Sequence, residues 1–329
     1  MFVADSIVAV CGSGATGTSA VTDFLGGYKS CMLIPQEPSF FRETEGGYSI
    51  YKLIKDNMFL RCIMFNNSRL SYNERLSEIL ERLVPRVNDA LLKVECVRKF
   101  HYSKVYKFEK DPSTLQNGLL NVYLKFLNSL VEDHVFMEHD GFISVSGKIL
   151  PALLRKQTFI KFWKGFMDSY FLEWSSYLGI EEPSKVIILN EFYYCDQNSV
   201  KDYSLLYKNL QIVWLIRDPR DSFFSWRKHN WISEKKVDDF IAFYRSLNNP
   251  VKEIPNQLLV VRFEDFILEH ERTAQKILDF LKIPNATKIN GNCVYQNVDS
   301  LKNIGQYKTY PNQDVMNYIA TELKEYLYE

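Results

Sequence analysis

The residues able to do chemistry gather in two clusters far apart in the chain. Near the N-terminus, Gly12-Ser13-Gly14-Ala15-Thr16-Gly17-Thr18-Ser19 mixes glycines with hydroxyl side chains. Glycines let a backbone approach an anion, and successive N–H groups can then point at it. The spacing from Gly12 to Gly17 fits the phosphate-loop pattern G-x-x-x-x-G-K-[ST], with Thr18 standing where the lysine would be. The second cluster is Arg217-Asp218-Pro219-Arg220-Asp221, followed by Ser225. A guanidinium offers a planar fork of donors suited to phosphate, and a serine hydroxyl can add another bond. Alone, the first cluster reads equally well as a tight connection and the second as a solvated turn with local ion pairs. Together they point to a nucleotide site.

The elements around the clusters are those of an α/β fold. Ile7 to Val10 is a short apolar strand, and Ala20 to Leu25 reads as a helix stopped by Gly26-Gly27. Further strands are expected at Cys31–Ile34, Lys185–Leu189, Gln211–Ile216 and Gln257–Arg262, with Phe263-Glu264-Asp265-Phe266 as the end of the last. Helices are expected around Tyr203–Asn209, over Leu268–Leu281 and over Asp314–Leu327. From about residue 48 to 180 the pattern is helical throughout, with amphipathic stretches at Tyr72–Leu83, Leu119–Val131 and Thr158–Leu178. The expected fold is one α/β domain over 1–329, a P-loop-like, mainly parallel sheet flanked by helices. Residues 48–180 form a large helical insertion or cap within it, since no Pro/Gly/Ser-rich linker isolates them.

Two carboxylates are candidate bases. Glu37 follows the Cys31–Ile34 strand, and Glu191 follows Lys185–Leu189, so both are expected at the carboxyl ends of strands, where open α/β sheets gather ligands. The five histidines have no metal-ligand spacing, so no metal site is expected. Lys+Arg and Asp+Glu each number 40, which argues against a general nucleic-acid binder and leaves any basic site local. The six cysteines form no C-x-x-C pair and read as reduced thiols. With no signal-peptide pattern and no run of membrane-spanning length, the expected location is cytoplasmic. Oligomeric state is not legible.

In this order the segments resemble the sulfotransferases that use 3′-phosphoadenosine 5′-phosphosulfate, with features of the bacterial branch acting on surface polysaccharides. The resemblance covers roughly 5–45 and 185–328. It rests on the loop, the Arg217–Ser225 motif, Phe263-Glu264-Asp265, Phe280–Pro284 and Ser300…Asn303-Ile304-Gly305…Lys308. It implies that Gly14, Ala15, Thr16, Gly17, Thr18 and Ser19 hold the 5′-phosphosulfate and that Arg217 and Ser225 hold the 3′-phosphate. It further implies that a late loop with Ser300, Lys302, Asn303 and Gly305 closes on the nucleotide. The acceptor would be a hydroxyl, with a carbohydrate expected, and Glu37 or Glu191 would take its proton, Glu37 first. The family's loop usually carries Lys or Arg where this chain has Ala15; Arg42, Lys29 and Arg220 are the candidate replacements. Two other functions stay open: a nucleoside-triphosphate-dependent kinase-like enzyme, which Thr18 disfavours, and a nucleotide-binding protein with little or no turnover.

Overall fold

In a computed structural model of the chain, the described residues are 5–34, scattered positions from 114 to 126, 131–139, 142–149, 156–180, 186–190, 197–249, 251, 254–284 and 300–329. Among the described residues there are seven strands: β1 Ser6–Gly12, β2 Cys31–Leu33, β3 Val131–His139, β4 Phe142–Ile149, β5 Val186–Asn190, β6 Leu210–Ile216 and β7 Leu258–Arg262. The helices are α1 Thr18–Leu25, α2 Lys156–Leu178, α3 Gln197–Leu206, α4 Pro219–Lys228, α5 Val237–Asn248, α6 Phe263–Leu268, α7 His270–Leu281 and α8 Gln313–Glu322.

The chain divides into two compact units. One comprises Asp5–Ile34, Ser184–Ser204 and Asn209–Glu329. It holds a five-stranded sheet of order β2-β5-β1-β6-β7, and every pairing is parallel. β1 lies at the centre, and Ile7, Val8, Ala9 and Val10 are all buried, as a strand covered on both faces requires. Strand order reverses beside β1: the chain leaves it for β2 on one side and later crosses from β5 to β6 and β7 on the other. Such a switch point opens a crevice at the carboxyl ends of the strands. Gly12 pairs with Leu215, so the loop after β1 and the residues after β6 emerge side by side.

Behind the sheet's right half, Phe223, Phe240, Ile241, Tyr244, Tyr310, Met316, Ile319, Leu323 and Tyr326 form a second core. It packs α4 and α5 against the C-terminal segment, so the tail is built into this unit rather than appended to it.

The other unit comprises Met1–Ala4, Pro35–Pro183 and Leu205–Lys208. Its longest described element is α2, whose Phe159, Trp163, Phe166, Tyr170, Trp174 and Tyr177 recur every three or four residues and are buried. That stripe is helix core. The expectation of helix throughout 48–180 needs correction, because β3 and β4 form an antiparallel hairpin with His139 opposite Phe142. Asp140-Gly141 stands between the strands, a pair favoured in two-residue hairpin turns, and it was the signal to read. Val131 thus opens a strand instead of ending a helix. The Tyr72–Leu83 segment lies outside the described residues.

Two smaller expectations also change. Phe263-Glu264-Asp265-Phe266 is the start of α6, not a strand end, and the expected Leu268–Leu281 helix is broken at Glu269 into α6 and α7. Among the described residues no helix is long and apolar enough to cross a membrane.

Candidate functional site

The loop after β1 is shaped by its glycines. Gly14, Ala15 and Gly17 have φ of 85°, 51° and 88°, all left-handed. Left-handed positions in such a loop let successive N–H groups turn toward one concavity. Gly17 is the N-cap of α1 and makes no side-chain capping bond, so the helix start is open to an anion. Two glycines also answer to close approach. A Cβ on Gly17 would collide with the Phe263 ring, and one on Gly12 with the Thr16 hydroxyl. Ser13 and Thr16 are buried and their hydroxyls make no hydrogen bond within the described residues. Gly14, Ala15, Gly17, Thr18 and Ser19 are partly exposed. The stretch Gly12 to Ser19 contains no acidic side chain. This donor set fits a phosphate or sulfate group.

Arg217 stands just past the end of β6 and is 4% exposed. Its Nη1 donates to the Ala15 carbonyl at 2.7 Å and to the Ser225 hydroxyl at 3.1 Å. Its Nη2 donates to the Asn303 carbonyl. The guanidinium lies over the Phe263 ring, 5.1 Å from its centroid. The structure therefore brings Ala15, Arg217, Ser225 and Asn303 together around one cation. Burial lowers the Arg217 pKa, opposed by the nearby Asp221, Glu264 and Asp218. Its Nε is buried and has no partner among the described residues.

The Asp-Pro pair after Arg217 explains why α4 begins there. Asp218 is the N-cap and accepts from the Arg220 N–H at 2.9 Å, while Pro219 occupies the first helical position, where a missing N–H costs nothing. One helical turn and a half later, Ser225 faces back to Arg217, and Trp226 donates from Nε1 to the Gly14 carbonyl at 3.2 Å. Sequence reasoning missed several supporting groups. Glu264 accepts from the Asp218 N–H at 2.8 Å. Asp221, 1% exposed, accepts from the backbone N–H of Gly305 at 2.7 Å and of Tyr307 at 3.0 Å. Tyr244 donates its hydroxyl to the Arg217 carbonyl. The acidic residue in the first turn of a helix was the available signal for Asp221; Phe263 and Glu264 stood in a segment of the resemblance without a role, and nothing in the sequence marks Tyr244.

The candidate replacements for a loop cation are placed as follows. Arg220 is bound to Asp218, with Nη2 2.6 Å from Oδ2, and lies over the Tyr307 ring at 3.9 Å. Lys29 is exposed beyond the C-terminal end of α1, opposite the end that carries the loop. Neither reaches Ala15; among the described residues Arg217 does. Arg42, Glu37 and Glu191 lie outside the described residues. In the tail, Ser300 and Asn303 are partly exposed, Lys302 is exposed, and Gly305 is left-handed at φ 74°. Among the described residues no group of three or more His, Cys, Asp or Glu is placed to hold a metal.

No curated protein matches the chain. In fold, it is similar to the sulfotransferase domain from the Synechococcus PCC 7002 olefin synthase, with a TM-score of 0.49 and 12% identity over 98% of this chain and 95% of that one. The sulfotransferase domain from the curacin biosynthetic pathway gives a TM-score of 0.43 and 13% identity, with 100% of each chain covered. The sulfotransferase STF9 from Mycobacterium avium gives 0.39 and 11%, over 98% of this chain and 76% of that one. Residues 197–287 match the model of the Sulfotransferase family, a span that runs from α3 through α7 and includes the whole Arg217–Ser225 motif. Through that segment the chain is similar to the sulfotransferase family.

Proposed function

We propose that the protein transfers a sulfuryl group from 3′-phosphoadenosine 5′-phosphosulfate to a hydroxyl of a carbohydrate. The observation that carries this reading is the meeting of the two clusters. The Arg217 guanidinium touches both the Ala15 carbonyl and the Ser225 hydroxyl, at 2.7 and 3.1 Å, although the sequence separates them widely. A donor with a 5′-phosphosulfate and a 3′-phosphate needs two anion sites held at fixed separation. The loop Gly14 to Ser19 with the start of α1 supplies one, and Arg217 with Ser225 supplies the other.

The donor brings the sulfuryl group and a phosphate leaving group. The chain's part is to clamp and orient, because sulfuryl transfer, like phosphoryl transfer, gains most from positioning and from stabilising charge. The backbone N–H groups of Ala15 to Ser19 bind the 5′ end. Arg217 and Ser225 bind the 3′-phosphate, with Ser300, Lys302, Asn303 and Gly305 closing on the nucleotide. The acceptor oxygen forms the new O–S bond as the bond from sulfur to the leaving phosphate breaks. The acceptor's proton goes to a carboxylate, Glu37 in the first instance and Glu191 in the second.

A second reading is favoured by Ala15. Without a lysine or arginine there, leaving-group stabilisation falls by about 2–4 kcal/mol, by analogy with removal of one oxyanion donor. The protein would then bind the nucleotide and turn over poorly. Transfer of labelled sulfate to a panel of polysaccharides, with Glu37→Gln and Glu191→Gln beside the unaltered protein, separates the two. Transfer abolished by Glu37→Gln supports the first reading. Tight nucleotide binding with no transfer to any acceptor supports the second.

A further inference from the structure

Asp221 is a buried carboxylate that the donor-binding scheme does not use. It stands in the first turn of α4, one residue past Arg220, and its two oxygens face the C-terminal segment. Oδ2 accepts from the Gly305 N–H at 2.7 Å and Oδ1 from the Tyr307 N–H at 3.0 Å. Gly305 is the left-handed N-cap of the 3₁₀ turn Gln306–Thr309, and that cap has no side-chain bond of its own. The carboxylate of Asp221 fills the role from another element. Two residues before Gly305, the Asn303 carbonyl accepts from Arg217 Nη2. On the far side of the turn, the Tyr307 ring carries the Arg220 guanidinium at 3.9 Å. A single carboxylate thus fixes the turn whose near end meets Arg217 and whose far end meets Arg220. A charged acceptor of two backbone N–H bonds is a strong anchor when dry.

We propose that Asp221 is a positioning residue: through the Gly305 and Tyr307 N–H groups it sets the 303–307 turn against Arg217, and so fixes how the anion site at Arg217 is closed. The inference rests on the donor reading above. It assigns Asp221 no contact with the nucleotide. Its effect is confined to the end of the ligand that Arg217 holds.

The test compares two ligands on three proteins. 3′,5′-Adenosine bisphosphate carries the 3′-phosphate and 5′-AMP lacks it; the proteins are the unaltered chain, Asp221→Asn and Gly305→Ala. Asparagine keeps the shape but replaces one acceptor with an NH₂ that faces an N–H. Alanine at Gly305 strains the same turn from its other side; its Cβ would meet only the Lys308 side chain, no nearer than 3.8 Å. Each variant should lose at least about tenfold in bisphosphate affinity, the size expected for loosened hydrogen bonds to a charged group, and Asp221→Asn should leave 5′-AMP affinity unchanged. Unchanged bisphosphate binding by folded Asp221→Asn overturns the proposal. So does an equal loss for both ligands, which marks a general structural role. If Asp221→Asn does not fold, Gly305→Ala decides by its bisphosphate affinity alone: a loss supports the proposal and no change overturns it. If the unaltered protein binds no bisphosphate, the donor reading fails instead. Amide exchange then decides the latch alone: faster exchange at Gly305 and Tyr307 in Asp221→Asn supports it, and unchanged exchange there overturns it.

Discussion

Arg217 bears most of the account at the scale of single residues. It is buried, positively charged, and bound to two backbone carbonyls and one hydroxyl. Arg217→Ala should weaken binding of 3′,5′-adenosine bisphosphate by roughly 1.5–3 kcal/mol, the worth of a charge-assisted contact, measured by calorimetry. Arg217→Lys should recover only part of that loss, since an ammonium keeps the charge without the fork that spans Ala15 and Asn303. Glu264 gives a different kind of prediction. Burial pushes its carboxyl above the usual glutamate range, outweighing the Asp218 N–H and the Arg217 charge, and its Oε2 has no partner among the described residues. A folded-state pKa above the unfolded value means the folded protein binds the proton more readily. Stability is then greater at low pH and falls as pH rises through the raised pKa. Glu264→Gln keeps an acceptor for the Asp218 N–H and removes the buried charge. It should raise the melting temperature near about pH 8, and the gain should shrink as pH falls toward about 5. A variant that melts lower at both pH values contradicts this account of Glu264.

At the scale of elements, the site is a strand–loop–helix joined to a strand end, locked by a tail. Gly17 shows how tightly the first of these fits. Its φ is 88° and the Phe263 ring occupies the place of a Cβ. Gly17→Ala should lower the unfolding free energy by at least about 1 kcal/mol in a denaturant melt, because it combines backbone strain with a clash. No change would mean that α6 can move away from the loop. Much of this level was legible beforehand. Apolar runs bounded by turn residues identified β1, β2, β5, β6 and β7, whereas α4 was not among the expected helices, although Asp218-Pro219 is a cap-and-proline pair. What was not legible has physical causes. Phe263-Glu264-Asp265-Phe266 is apolar at both ends and short, so period alone does not separate strand from helix. The β3 and β4 sequences alternate only weakly between apolar and polar residues, so period alone does not mark them as strands. The Asp221 bonds reach backbone N–H groups 84 and 86 residues away, and no local pattern encodes such a partner.

At the scale of the whole molecule, the sheet order explains why two distant motifs form one site. β1 and β6 are neighbours, so the loop after Gly12 and the cation after Ile216 share one edge of the sheet. Spacing marked the first motif and the family resemblance the second, but their contact depended on strand order, which a sequence states only through its pattern of alternating elements. The unit holding Pro35–Pro183 stays beyond what sequence patterns interpret, and the acceptor would be recognised by residues that carry no known motif. The kinase-like alternative differs from the sulfotransferase reading in which nucleotide the edge accepts. Isothermal titration of the full chain with 3′,5′-adenosine bisphosphate, beside ATP and GTP with magnesium, tests that difference most directly. The account predicts saturable one-to-one binding of the bisphosphate, weakened by Arg217→Ala, and little or none of the triphosphates. Binding of ATP or GTP with no detectable binding of the bisphosphate would contradict it.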